Sequence, residues 1–219
     1  MARSTRRRRF SKNLIYKDEY ANDHNYGKFS RENKKRRINF LIDLNITINE
    51  LYNRPSISTW GPFNEGWGQF DSVKITNMIK KLDKTRFVDH VSGWIDQKGP
   101  DFKSIHIYAE TIEFEPDEEK RPIVLSEFGG YGLIINDHLG SKRHFSYIMY
   151  DSKNKLTEAI KKLIRYKIYP NINKGLSASI YTQLSDIEDE VNGFLTYDRK
   201  ILKVDMNIIK RVNNLLQLK

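Results

Sequence analysis

The sequence predicts an α/β fold whose parallel sheet forms part of a barrel, and three observations carry that prediction. Short apolar segments at 57–63, 86–92, 104–108, 121–128 and 177–183 lack the alternation of a sheet with one wet face. Helical segments and long loops separate them, as parallel strands require. None is followed by the G-x-G-x-x-G turn of a doubly wound nucleotide-binding sheet, which leaves a barrel-type arrangement.

Each element has its own signal. From Asn33 to Tyr52, Ile38, Leu41, Ile42, Ile46, Ile48 and Leu51 recur at roughly helical spacing, with Pro55 just beyond, so a helix is expected. "SISTWGPF" follows as a short strand. "DSVKITNMIKKLD" opens on a potential cap, Asp71, and places Val73, Met78, Ile79 and Leu82 on one helical face. "RFVDHVS" and "SIHIY" read as strands flanking the loop "GWIDQKGPDF". The acidic "ETIEFEPDEEK" reads as a solvated surface loop, and "RPIVLSEF" is the clearest strand. "KNKLTEAIKKLIRY" is a helix with Leu156, Ile160, Leu163 and Ile164 on one side. "SASIYTQ" is the last strand, and "DMNIIKRVNNLLQL" closes the chain as an amphipathic helix.

Composition sets the wider limits. The chain has 219 residues, a net charge of +10 and no cysteine, so disulfides and thiolate metal sites are excluded. Residues 1–37 carry a net charge of +9, and the remainder only +1. We therefore read 1–23 as a disordered basic tail and 24–219 as the folded domain; a nucleic-acid role for the tail is the lesser alternative, since its charged stretch "ARSTRRRRFSK" has no aromatic residue besides Phe10. No apolar run approaches the roughly 20 residues that cross a bilayer, and no apolar segment follows the N-terminal charges. A cytoplasmic protein without membrane attachment is expected.

In parallel α/β folds the working groups gather at the C-terminal ends of strands. Glu65 follows the first strand and Glu127 lies at the end of the fourth. Two carboxylates facing each other across a barrel mouth suit glycosidic bond cleavage: at about 5–5.5 Å the reaction retains configuration, and at roughly 6.5–9.5 Å it inverts. The general acid needs a raised pKa, which Trp60, Phe63 and Trp67 are placed to provide by desolvation. The cluster "DIEDE" at 186–190 has poor spacing for a hard cation and reads as a hydrogen-bonded loop, so neither a metal nor a cofactor is expected.

"WGPFNEGWGQFD" and "VLSEFGGYG" resemble the acid/base and nucleophile signatures of glycoside hydrolase family 2, which includes β-galactosidases, β-glucuronidases and β-mannosidases. "LYNRPSISTW", "DKTRFVDHVSGWID", "SIHIYAE" and "GLSASIYTQLSDIEDEVNGFLTYDRK" extend the resemblance, in order, over roughly residues 24–217. It implies a retaining hydrolase of β-linked O-glycosyl bonds in carbohydrate metabolism, with Glu65 as general acid/base and Glu127 as nucleophile. It also implies that Asn64 bonds the sugar 2-hydroxyl and that Tyr108 holds the Glu127 carboxylate ionised. His106 and Trp94 would line the sugar pocket, with Tyr181 and Gln183 on its wall.

By the same resemblance the five strands correspond to strands four through eight of an eight-stranded barrel. The segment bearing the family's Arg and His-Tyr-Pro motif has no counterpart in the sequence. Two expectations follow besides an active enzyme: a partner fragment that complements this chain with the first strands, or a non-catalytic, carbohydrate-binding remnant.

Overall fold

The computed structural model describes residues 22–108, 112–113 and 115–217, so most of the basic segment lies outside the described residues. Asp23, read above with that segment, is described and buried. The chain divides into two compact units. One runs through Ile105 and takes in Asp117–Pro122; the other consists of His106–Pro116 and Ile123–Lys219. Among the described residues the strands lie in small sheets with parallel pairing, and no closed barrel is formed.

In the first unit, helix α1 (Lys34–Leu51) is capped by Asn33, whose side chain accepts from the Arg36 amide at 3.2 Å. Its inner face holds three of the six residues the sequence suggested, Leu41, Ile48 and Leu51, and not the other three. Ile48 is fully buried, and Phe40, Leu41, Leu44 and Leu51 pack on the core around it, whereas Ile38, Ile42 and Ile46 are 46%, 51% and 50% exposed. Ile38, Ile42 and Ile46 repeat every four residues, as do Phe40, Leu44 and Ile48, so spacing alone merged two ridges that lie two residues, about 200° of helix, apart. Ile48→Ala is therefore expected to cost about 2–5 kcal/mol in urea denaturation. Ile42→Gln should stay within about 0.5 kcal/mol of wild type; equal effects at the two positions would refute this orientation of the helix.

Strands β1 (Thr59–Trp60) and β2 (Phe87–Val88) pair in parallel. They are shorter than the apolar runs that announced them, because Gly61 and Pro62 interrupt the first and proline has no amide to donate. Helix α2 (Ser72–Leu82) buries Ile75, Thr76 and Ile79, while Val73 is 38% exposed. Asp71, expected as its cap, sits in the left-handed region (φ 45°) and makes no capping bond. The cap comes from far away in sequence: Asp23 Oδ2 accepts from the Ser72 amide at 2.8 Å. The core of this unit joins Ile48, Trp60, Phe63, Phe70, Ile75, Ile79 and Val88.

Two buried aspartates brace this unit. Asp83 accepts from Trp60 Nε1 at 2.9 Å and from Arg86 Nη1 at 2.7 Å. Burial works to raise its pKa, but donors from Thr85, Trp60 and Arg86 prevail and hold it well below the usual carboxylate range. Asp117 departs from the solvated loop expected for the acidic segment: its side chain is 4% exposed and receives Arg121 Nε at 2.8 Å. The same guanidinium reaches Asp96 Oδ2 at 2.6 Å.

Strand β3 (Lys103–Ile107) leads into the second unit at His106. There β4 (Ile123–Gly129) is the middle strand of the order β3–β4–β7 and pairs in parallel with β7 (Leu176–Thr182). A second parallel pair, β5 (Tyr131–Leu133) with β6 (Ile148–Tyr150), was not anticipated. Strand β4 is largely buried. Strand β7 is not, with Ile180 57% exposed, because it has no strand beyond it among the described residues.

Helix α3 (Lys153–Leu163) buries Leu156, Ile160 and Leu163, and a π-helical turn at Ile164–Ile168 continues it. Helix α4 (Met206–Asn213) is capped by Asp205, which accepts from the Asn207 and Ile208 amides. Between β7 and α4 lies a buried ion pair. Lys203 Nζ donates to Asp186 Oδ1 at 2.6 Å, to Val191 O at 2.9 Å and to Leu133 O at 3.0 Å. No helix among the described residues is long and apolar enough to cross a membrane.

Candidate active site

The first unit presents Asn64, Glu65 and Trp94. After β1 the chain bridges to the segment beyond β2: the Ser92 amide donates to Phe63 O at 3.0 Å, and the Glu65 amide donates to Ser92 O at 2.7 Å. Glu65 then adopts φ 54°, and Gly66 and Gly68 follow at 72° and 64°. This left-handed turn is why the apolar run stops where it does. Glycine is needed at position 66 twice over, since a Cβ there would also lie 2.6 Å from Ile95 Cδ1. Asn64 is exposed, and Glu65 and Trp94 are half-buried.

The aromatic residues around Glu65 divide. Trp60 directs its indole N–H to Asp83, and Phe63 stacks on Phe40 with centroids 5.3 Å apart, so both belong to the core of the unit. Trp67 is 53% exposed.

The second unit gathers Glu127, His106 and Tyr108. Between Leu125 and Phe128 the register slips, so that three steps of β4 span two of β7, and Glu127 sits within this bulge. Bulges re-aim side chains, often beside functional sites. Tyr108 Oη donates a short hydrogen bond to Glu127 Oε2, and His106 Nδ1 lies 3.5 Å from the same oxygen. Burial, followed by the neighbouring Glu127 carboxylate, pushes the Tyr108 phenol far above its ordinary value, so it stays protonated and remains a donor. The Glu127 side chain retains 28% exposure, while the His106 side chain has none.

Two residues the sequence reading did not single out support this group. Tyr147 stacks on Tyr108 with centroids 3.9 Å apart and planes 3° from parallel. Thr182 Oγ1 lies 3.5 Å from Tyr108 Oη. The turn after Glu127 admits these rings only because Gly130 has no side chain: at φ 65°, its Cβ would lie 2.5 Å from Tyr147 Cδ2. The glycines of "FGG" mark a tight turn, but nothing in the sequence says which ring packs against it.

Tyr181 and Gln183 have polar partners of their own. Tyr181 Oη accepts from the Tyr131 amide at 3.2 Å and donates to Tyr131 O at 3.3 Å, and its ring stacks on Phe194 at 4.6 Å. Gln183 Nε2 donates to Asn192 Oδ1 at 2.8 Å and to Glu190 Oε2 at 3.1 Å. Within the acidic cluster, Asp186 is taken up by Lys203 and by the Gly193 amide.

No family model matches the sequence, and neither does any curated protein. Among solved structures the chain is similar to a β-glucuronidase of Faecalibacterium prausnitzii, with a TM-score of 0.52 and 13% identity. The match covers 83% of this chain and 35% of that one, so this chain spans about a third of the enzyme's length. The shared feature is the fold.

Proposed function

We propose that the chain carries the acid/base and nucleophile segments of a retaining β-glycosidase and represents the later strands of that barrel, about strands four to eight. Glu127 is the nucleophile and Glu65 the general acid/base, with Asn64, Trp94 and His106 at the sugar. The observation that carries this reading is the hydrogen bond that the Tyr108 phenol, with its pKa raised by burial, donates to the Glu127 carboxylate. A hydrogen bond to the charged form favours that form, which is what attack on an anomeric carbon needs. Glu65 first donates a proton to the leaving oxygen and then, as a carboxylate, takes one from the water that hydrolyses the glycosyl-enzyme. Likeness to part of a β-glucuronidase supports the class of reaction, and the sugar stays open among β-linked glycosides.

Turnover of a panel of aryl β-glycosides tests the reading. Tyr108→Phe is expected to lower kcat by roughly 10²- to 10³-fold and to move the acidic limb of the pH–rate profile upward, because the nucleophile loses a donor. An unmoved limb would remove Tyr108 from this role. A second reading, a non-catalytic carbohydrate-binding remnant, is favoured by the absence of a closed barrel among the described residues. It expects folded protein that binds glycosides without turnover. A partner fragment supplying earlier strands would reconcile the two, and activity appearing only on mixing is its mark.

A further inference from the structure

Three side chains with no part in the proposed chemistry converge in the first unit. Asp23, His24 and Asp71 each offer one ligand atom, and these atoms all lie within 4.8 Å of one another. Asp23 is 3% exposed, and its Oδ2 accepts from the Ser72 amide at 2.8 Å and from Gln69 Nε2 at 3.2 Å. His24 Nδ1 contacts Asp71 Oδ1, and Tyr26 Oη donates to Asp71 Oδ2 at 3.1 Å.

An independent observation points to a missing ligand. Gln69 and Ser72 are both 0% exposed, yet Gln69 Oε1 and Ser72 Oγ have no hydrogen-bond partner. Each belongs to a residue whose own N–H donates to Asp23 Oδ2, so both unpartnered oxygens are carried by residues anchored to that carboxylate. Buried oxygens left without partners are costly, and an ion or water is the usual remedy.

We propose that Asp23, His24 and Asp71 bind one divalent first-row metal ion. Two carboxylates and an imidazole form a mixed oxygen–nitrogen set. That set favours Zn²⁺ over Mn²⁺ and gives Mg²⁺ little advantage over water. Tyr26, donating to Asp71, orients a ligating carboxylate in the way second-layer donors commonly do. The ion would tie the residue 22–26 segment to the start of α2, joining His24 and Asp71 across 47 positions. This proposal is independent of the glycosidase reading.

The test is titration of chelator-treated full-length protein with Zn²⁺ alone, followed by calorimetry. One equivalent is expected to bind and to raise the unfolding temperature. His24→Ala, at a side chain 67% exposed, should fold normally and weaken binding by about 10-fold or more, as should Asp71→Asn. His144→Ala, at an exposed histidine outside the cluster, should change nothing. No binding by folded wild-type protein at millimolar Zn²⁺, or unchanged affinity in His24→Ala, overturns the proposal. Should a variant misfold, Mn²⁺ added to wild-type protein decides: paramagnetic broadening must begin at the Asp23–His24 and Asp71–Ser72 amides, and broadening centred elsewhere is equally fatal.

Discussion

Glu127→Gln is expected to lower turnover of an aryl β-glycoside by at least about 10⁴-fold, the scale on which concerted catalytic groups fail when one is removed. The amide is nearly isosteric and can still accept from Tyr108, so the fold and the bulge in β4 should survive; what disappears is the anion that bonds to the sugar. Glu65→Gln should behave differently. With a good phenolate leaving group, protonation contributes little to the first step, so the loss there is small and glycosyl-enzyme accumulates. With a poor leaving group the loss should reach about 10²–10⁴-fold. Equal losses on both substrates would remove Glu65 from the acid/base role.

The second large effect concerns stability. Lys203→Met keeps the apolar stem but strands Asp186, whose side chain is 4% exposed, and removes the donor to Leu133 O and Val191 O. Breaking a buried pair on one side costs about 3–5 kcal/mol. The cost should depend on pH. Burial pushes the Asp186 carboxyl up despite Lys203, and pushes the Lys203 ammonium down despite Asp186. A raised carboxyl contributes stability that is fully present below the ordinary carboxylate value and is lost as pH rises through the raised one. A lowered ammonium contributes stability that is present above the ordinary lysine value and is lost as pH falls through the lowered one. Lys203→Met leaves only the carboxyl, now without its cation. The deficit should therefore be largest at neutral pH and shrink as the solution is acidified toward the carboxylate range. Urea denaturation at neutral pH and at about pH 5 measures it; the same deficit at both would mean that Asp186 is not the stranded charge.

The sequence disclosed the order of the elements and less of their extent. Most of the segment 121–128 became β4, which starts at Ile123 just after Pro122, because Ile123, Val124 and Leu125 suit a strand buried on both faces. The run 57–63 gave only Thr59–Trp60, since Gly61–Pro62 cannot hold a ladder. Helical periodicity placed α3 correctly and found Leu41, Ile48 and Leu51 of the inner face of α1, but added the exposed isoleucines at 38, 42 and 46, which mimic a buried stripe. At the candidate site, Glu127, His106 and Tyr108 were legible as residues near strand ends. Tyr147 was not, because its relation to Tyr108 depends on a turn at Gly130 that only the three-dimensional path reveals. Asp23 escaped for the same reason: it caps a helix that begins 49 residues later.

The most direct measurement is trapping with a 2-fluoro-β-glycoside carrying a good leaving group, followed by mass spectrometry of the digested chain. The account expects one sugar per chain, bonded to the peptide that contains Glu127, with no label in Glu127→Gln. A label on another residue, or steady turnover with no covalent intermediate and with inverted product, would contradict it.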